Sequence, residues 1–261
     1  MIADPGSQRF VGYGSLNTVN GVLLRVGCDS TTKGGRWNPP VDPRTWEYAY
    51  VPIPEGSYAH DFLCPTYEEF DGIVQRFGVA LPAHLPLTRC VHLDPDFVSL
   101  SIGEPHYPGR GLSSRGRILA KLEAGDFIAF YASFRPTSAY AERLAYCLFG
   151  LFNIGEIACV GELSAEQRAR CAHGRRAGAA RDLVVWVDPQ TSGRFPRAIP
   201  IGEFRNRAYR VRRDMLGKWG GLSVRDGYIQ RSAIPPRFCD PHRFLAWLEA
   251  RVPRSVLMRQ N

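Results

Sequence analysis

His92, Asp94 and Asp96 alternate along the run Val91-His92-Leu93-Asp94-Pro95-Asp96. On an extended backbone alternate side chains project to one face, so an imidazole would stand beside two carboxylates. Histidine exchanges its proton near neutral pH, and next to carboxylates it can act as a general base or bind a metal ion. Pro95 keeps the segment extended rather than helical. The same Asp-Pro-Asp run is also ordinary turn chemistry, in which Asx side chains accept from the backbone just ahead of them.

Arg25 is the charged residue inside the apolar run Val22-Leu23-Leu24-Arg25-Val26. If buried it needs a partner, and Asp29, Asp94 or Asp96 could supply one. Arg25 with Asp29 therefore reads in two ways. The pair is an internal ion pair that fixes the following loop, or it is a guanidinium gripping a phosphate or base edge beside an acid or base. Gly34-Gly35 in that loop let backbone amides approach a ligand closely. The candidate catalytic set is thus Arg25, Asp29, His92, Asp94 and Asp96.

A second set would hold the ligand. His173, followed by Arg175 and Arg176 at the end of a basic helix, suits phosphate contact or proton delivery, and equally a solvated helix end. Phe134 with Arg135 at a strand end could sandwich a base, although strand aromatics are more often core. Arg231, ahead of Pro235-Pro236, has the same standing, and Gly34 and Gly35 complete the set. Neither Ser15 nor any cysteine has a base close by in sequence to make it a nucleophile. The seven cysteines lack a Cys-x-x-Cys pair, so spacing assigns neither a metal nor a cofactor.

The chain of 261 residues carries a formal net charge of +8. From Arg168 to Arg213, twelve arginines face only Asp182, Asp188 and Glu203; twelve minus three is +9, the whole excess. Planar guanidinium groups match phosphate, and clustered positive charge gains affinity for nucleic acid by releasing counterions. An arginine-preferring genome would leave the same bias, since lysine is confined to Lys33, Lys121 and Lys218. No apolar run approaches the roughly 18 residues of a membrane helix, and Asp4-Pro5-Gly6 is unlike a signal peptide. The expected setting is the cytoplasm, with reduced thiols. The expected partners are DNA, RNA or a nucleotide, together with other modification enzymes, and no membrane.

These groups need a frame to position them. The pattern predicts strands over 22–26, 47–53, 127–131 and 182–187, and one long or two shorter strands over 145–160 with bends at Gly150 and Gly155. Thr66 with Glu69 forms a capping box ahead of Phe70, Ile73, Val74 and Phe77 at helical spacing, and a short helix follows over 114–122. Ser164 with Gln167 opens the basic helix, and Asp240-Pro241 opens a terminal one over 240–252. Residues 1–21 read as an irregular arm. No βαβ alternation and no glycine-rich strand-to-helix turn occurs. The expectation is one elaborated α+β domain over 1–261, with a mixed, largely antiparallel sheet or partly open barrel and flanking helices. The Gly125-Asp126 turn before an aromatic strand resembles PUA-like and EVE-like base-reading barrels.

Seven segments occur in a recognisable order: Leu24-Arg25-Val26-Gly27-Cys28-Asp29, Val51-Pro52-Ile53-Pro54, His92-Leu93-Asp94-Pro95-Asp96, Gly125-Asp126-Phe127, Ser192-Gly193-Arg194-Phe195, Ala198-Ile199-Pro200-Ile201 and Gln230-Arg231-Ser232-Ala233. Together they resemble the nucleotide modification associated domain of the third type. The resemblance implies a family of bacteria, archaea and phages that takes part in modifying nucleic-acid bases. The chain departs from that family's pattern at Gly174-Arg175, where a second histidine would follow His173. Two functions result. One is an enzyme, a transferase or hydrolase, acting on a base through the Arg/Asp/His set; the other is a non-catalytic reader of modified bases with a PUA-like pocket. Asp29 would matter to the first, Phe134 and Arg135 to the second.

Overall fold

A computed structural model describes residues 19–27, 37–56, 64–138, 142–230 and 234–261. Asp29, Gly34, Gly35, Arg231 and most of the N-terminal arm lie outside them.

Along the chain run β1 (Gly21–Arg25), β2 (Pro40–Val41), β3 (Ile53–Pro54), α1 (Glu68–Gln75), β4 (Val91–His92), β5 (Ser101–Glu104), β6 (His106–Tyr107), β7 (Gly111–Leu112) and α2 (Ser114–Leu119). The two longest strands follow, β8 (Phe127–Pro136) and β9 (Ala145–Cys159), then α3 (Ala165–Arg170), β10 (Leu183–Val187) and β11 (Gly193–Pro200). The chain closes with β12 (Gly202–Arg205), β13 (Ala208–Val211), α4 (Arg213–Trp219) and α5 (Pro241–Glu249). A seven-stranded sheet runs β1-β8-β9-β10-β5, with β2 beside β8 and β11 beside β9. β1 and β2 lie parallel to β8, and the other pairings are antiparallel. The architecture is α+β, and the sheet is open rather than closed into a barrel.

β8 is apolar on both faces because both are covered. Ile128, Phe130 and Phe134 pack with Phe97, Phe149 and Tyr50 on one side. Phe127, Ala129 and Tyr131 pack with Trp219, Phe244 and Trp247 of α4 and α5 on the other. At Gly150 the register of β9 against β8 shifts, and an added Cβ there would stand 2.8 Å from the Phe97 ring. A bulge without a side chain is what lets Phe97 into the first core. A smaller core lies under α1, and another gathers Val160, Leu163, Cys171 and Ala179 with Val184 of β10.

Two capping signals hold: Ser164 and Gln167 make their reciprocal box, and Asp240 accepts from the Arg243 amide. The expected Thr66–Glu69 box is only half made: the Thr66 amide donates to the Glu69 carboxylate, but Tyr67 is the residue at the N-cap of α1 and no side chain caps the helix. The stretch 145–160 is one long strand. The expected strand over 47–53 is not continuous. Tyr48 makes a lone bridge to Val41, and only Ile53 and Pro54 pair further, with β4. Pro52 and Pro54 cannot donate to a ladder. Tyr48 and Tyr50 instead turn inward, their hydroxyls donating to the carbonyls of Phe195 and Pro95.

Candidate functional site

Pairing of β3 with β4 sets Ile53 opposite His92 and brings Glu55, just past β3, onto the histidine. His92 Nδ1 donates to Glu55 Oε2 across 2.7 Å. From the far side of the sheet edge comes His173, on the turn after α3, whose Nδ1 donates to Asp182 Oδ2 across 2.8 Å. Its ring packs against β5, where Gly103 leaves the room: a Cβ there would fall 2.2 Å from His173 Cδ2. The amide of Gly103 also donates to Asp94 Oδ1 at 2.6 Å, so one glycine seats two site residues.

With both Nδ1 atoms committed and Asp94 Oδ1 anchored, the remaining polar atoms converge. Asp94 Oδ2 lies 3.8 Å from His92 Nε2 and 3.9 Å from His173 Nε2. These distances are too long for hydrogen bonds. The two rings meet edge to face with centroids 5.0 Å apart. His173 is 2% exposed, and its Nε2 has no hydrogen-bond partner among the described residues. One ligand atom from each of His92, Asp94 and His173 lies within 4.8 Å of the other two, a grouping that could hold a metal ion.

Around this centre sit further charges. Arg115 Nε pairs with Glu104, and its Nη2 lies 3.9 Å from Asp94 Oδ2. Arg176 donates to Asp182 Oδ2 at 3.2 Å, and the His106 amide donates to Oδ1 of the same carboxylate. Burial alone would raise the pKa of Asp94, but the facing His173 and His92 rings and Arg115 outweigh it and hold the carboxyl below its usual range. Asp182 and Glu55 behave alike, burial being outweighed chiefly by the imidazole each one holds. For His173, burial pushes the pKa down, and the hydrogen bond to Asp182 with the charge of Asp94 turns the net shift upward.

His92 and Asp94 thus stand together as their alternation predicts, but Asp96 does not join them. Its Oδ1 accepts from the Val98 and Ser99 amides and from Asn261; the Asx-turn reading holds there. Arg25 is held in another group, where its guanidinium donates to Ser133 Oγ at 2.9 Å, to the Tyr146 hydroxyl at 3.2 Å and to the Gln230 carbonyl. Asn38 shares Ser133 with it. This contact joins the first and last of the seven sequence segments. Phe134 is 1% exposed and packs edge-on against Tyr48 and Phe149, which leaves no ring face for a base. Arg135 is exposed beside it, and Arg175 donates to the Ala169 carbonyl.

Glu55, Glu104, Arg115 and Asp182 carry no signal in the sequence, since each joins the site only through folding. Arg194 carries no site signal in the sequence beyond its place in one of the seven segments and in the arginine count. It is 8% exposed, its Nε and Nη1 lack partners among the described residues, and it lines a cavity of about 490 Å³ with Arg76, Tyr48, Thr137 and Gln260.

A family model described as nucleotide modification associated domain 3 matches residues 20–220, which include Glu55, His92, Asp94, His173 and Asp182. No curated protein and no solved structure matches the chain. No helix among the described residues is long and apolar enough to cross a membrane. Matched over most of its length, the chain belongs to the nucleotide modification associated domain 3 family.

Proposed function

We propose that this chain is an enzyme that modifies a base in DNA or RNA, with His92, Asp94 and His173 at the reacting centre. One observation carries the reading: two imidazoles, each oriented by its own carboxylate, turn their Nε2 atoms toward a third carboxylate. A carboxylate on Nδ1 sets the tautomer and holds the ring, leaving Nε2 as the atom that exchanges a proton with a substrate. Transfer or hydrolysis at a base needs such exchange at a ring nitrogen or exocyclic amine. Arg115 and Arg176 stand at the rim with side chains 29% and 23% exposed, positioned to meet phosphate. Buried imidazole–carboxylate networks also occur as purely structural features, so the test is chemical. Nucleosides digested from DNA and RNA of cells with and without the gene are compared by mass spectrometry. A nucleoside that appears only with the gene supports the reading, and identical profiles remove it.

Recognition without catalysis is favoured by a different observation, the buried guanidinium of Arg194, which lies over the Tyr48 ring and whose Nε and Nη1 have no hydrogen-bond partner among the described residues. In that reading Arg194→Gln abolishes affinity for the modified nucleic acid, while Asp94→Asn leaves it intact.

A further inference from the structure

We infer that His92 Nε2, Asp94 Oδ2 and His173 Nε2 bind a divalent first-row transition-metal ion. This takes the reacting centre from the reading above and adds its cofactor class.

Histidines that ligate a metal almost always donate their other ring N–H to a carboxylate or carbonyl, which fixes the tautomer and strengthens the ligand. Both rings here have that arrangement, through Glu55 and Asp182. A fully buried polar atom without a partner is costly, and His173 Nε2, aimed at Asp94, has none among the described residues. An ion about 2.1 Å from each ligand can bridge atoms up to about 4.2 Å apart. The separations from Asp94 Oδ2, 3.8 and 3.9 Å, lie inside that reach, and the ligand atoms of the two rings, within 4.8 Å of each other, have to draw closer by a fraction of an ångström to close on an ion.

Charge points the same way. Glu55, Asp94, Asp182 and Glu104 are side chains no more than 8% exposed. Arg115 and Arg176 are the guanidiniums paired with them. Four carboxylates minus two guanidiniums leaves −2 around neutral rings, the charge a divalent ion balances. Two nitrogens and one oxygen suit zinc, iron(II), manganese or cobalt, whereas magnesium and calcium prefer all-oxygen sites and copper(I) prefers sulfur. Three protein ligands leave positions open for water or substrate, and a metal bound there would supply Lewis acidity and a more acidic water. The alternative is two protonated rings sharing Asp94, which needs no metal.

Cobalt(II) is a visible probe of such a site. The full chain, stripped with chelator and checked for folding by circular dichroism, is titrated with Co²⁺ and back-titrated with Zn²⁺. The expected result is an absorption band that saturates at one ion per chain and is displaced by zinc. The band is lost in Asp94→Asn, retained in Asp214→Asn, and in Glu55→Gln it needs about 10- to 100-fold more cobalt. No band from the folded wild-type chain overturns the inference, as does a band unchanged in a folded Asp94→Asn. Failure of the two readings is separable. Cobalt binding by a chain whose gene changes no nucleoside keeps the metal and removes base modification. An Asp94-dependent nucleoside without metal binding keeps the acid–base centre and removes the metal.

Discussion

Gly103 is where a single added methyl group would reach the site. Its missing Cβ is the space His173 occupies, 2.2 Å from Cδ2 and 2.6 Å from Cγ, and neither β5 nor the enclosed ring can yield without cost. Gly103→Ala is therefore expected to destabilise the chain by about 1–3 kcal/mol, and to weaken cobalt binding as His173 is displaced. Urea unfolding measures the first effect, and an unchanged midpoint would mean that the ring is not seated against β5. At this scale the sequence exposed His92 and Asp94 through their alternation. It exposed His173 only as part of a basic helix end. The partners of both rings lie 37 and 9 residues away, at separations that follow no local period. Asp96 shares the alternation and still leaves the group, because a free Asp at a turn finds backbone amides first.

Among the elements, β3 and β4 matter most, since they place Glu55 and His92, yet each pairs through only two residues. The larger support is the aromatic layer beneath. Phe149 touches Tyr48, Tyr50, Phe97, Phe130 and Phe134. Phe149→Ala should cost about 3–5 kcal/mol, seen as a lower urea midpoint with an unchanged slope. A cost below about 1 kcal/mol would show that the site does not rest on this layer. Elsewhere Arg205 of β12 donates to Asp226, and that hydrogen bond holds the Asp226 carboxyl below its usual range. A depressed carboxyl stabilises the fold above the unfolded aspartate value of about 4 and loses that contribution as pH falls through its folded value. Asp226→Asn should therefore lower the midpoint at neutral pH and leave it unchanged in acid. Equal loss at both would contradict the pairing. Helix starts were legible because capping is local chemistry, in Ser164–Gln167 and Asp240–Pro241. The stretch 47–53 was misleading because its alternation serves tyrosine burial rather than a ladder.

For the whole molecule, the arginine excess between Arg168 and Arg213 is smaller than its count suggests. Arg205 and Arg210 share Asp226, Arg212 pairs with Asp214, and Arg176 pairs with Asp182. Asp214 and Asp226 lie beyond the stretch, so a tally along the chain missed them. The family and the α+β class were legible from ordered segments and from mixed strand and helix signals. The convergence of two histidines was not, because β4 and the turn after α3 meet only across the edge of the folded sheet. Whether that convergence performs the reaction is answered most directly in cells lacking the gene, complemented with wild type, Asp94→Asn or Asp214→Asn, with protein levels matched and digested nucleosides weighed by mass spectrometry. The expected result is a nucleoside restored by wild type and Asp214→Asn and absent with Asp94→Asn. Restoration of the same nucleoside by Asp94→Asn would contradict the assignment of the reacting centre.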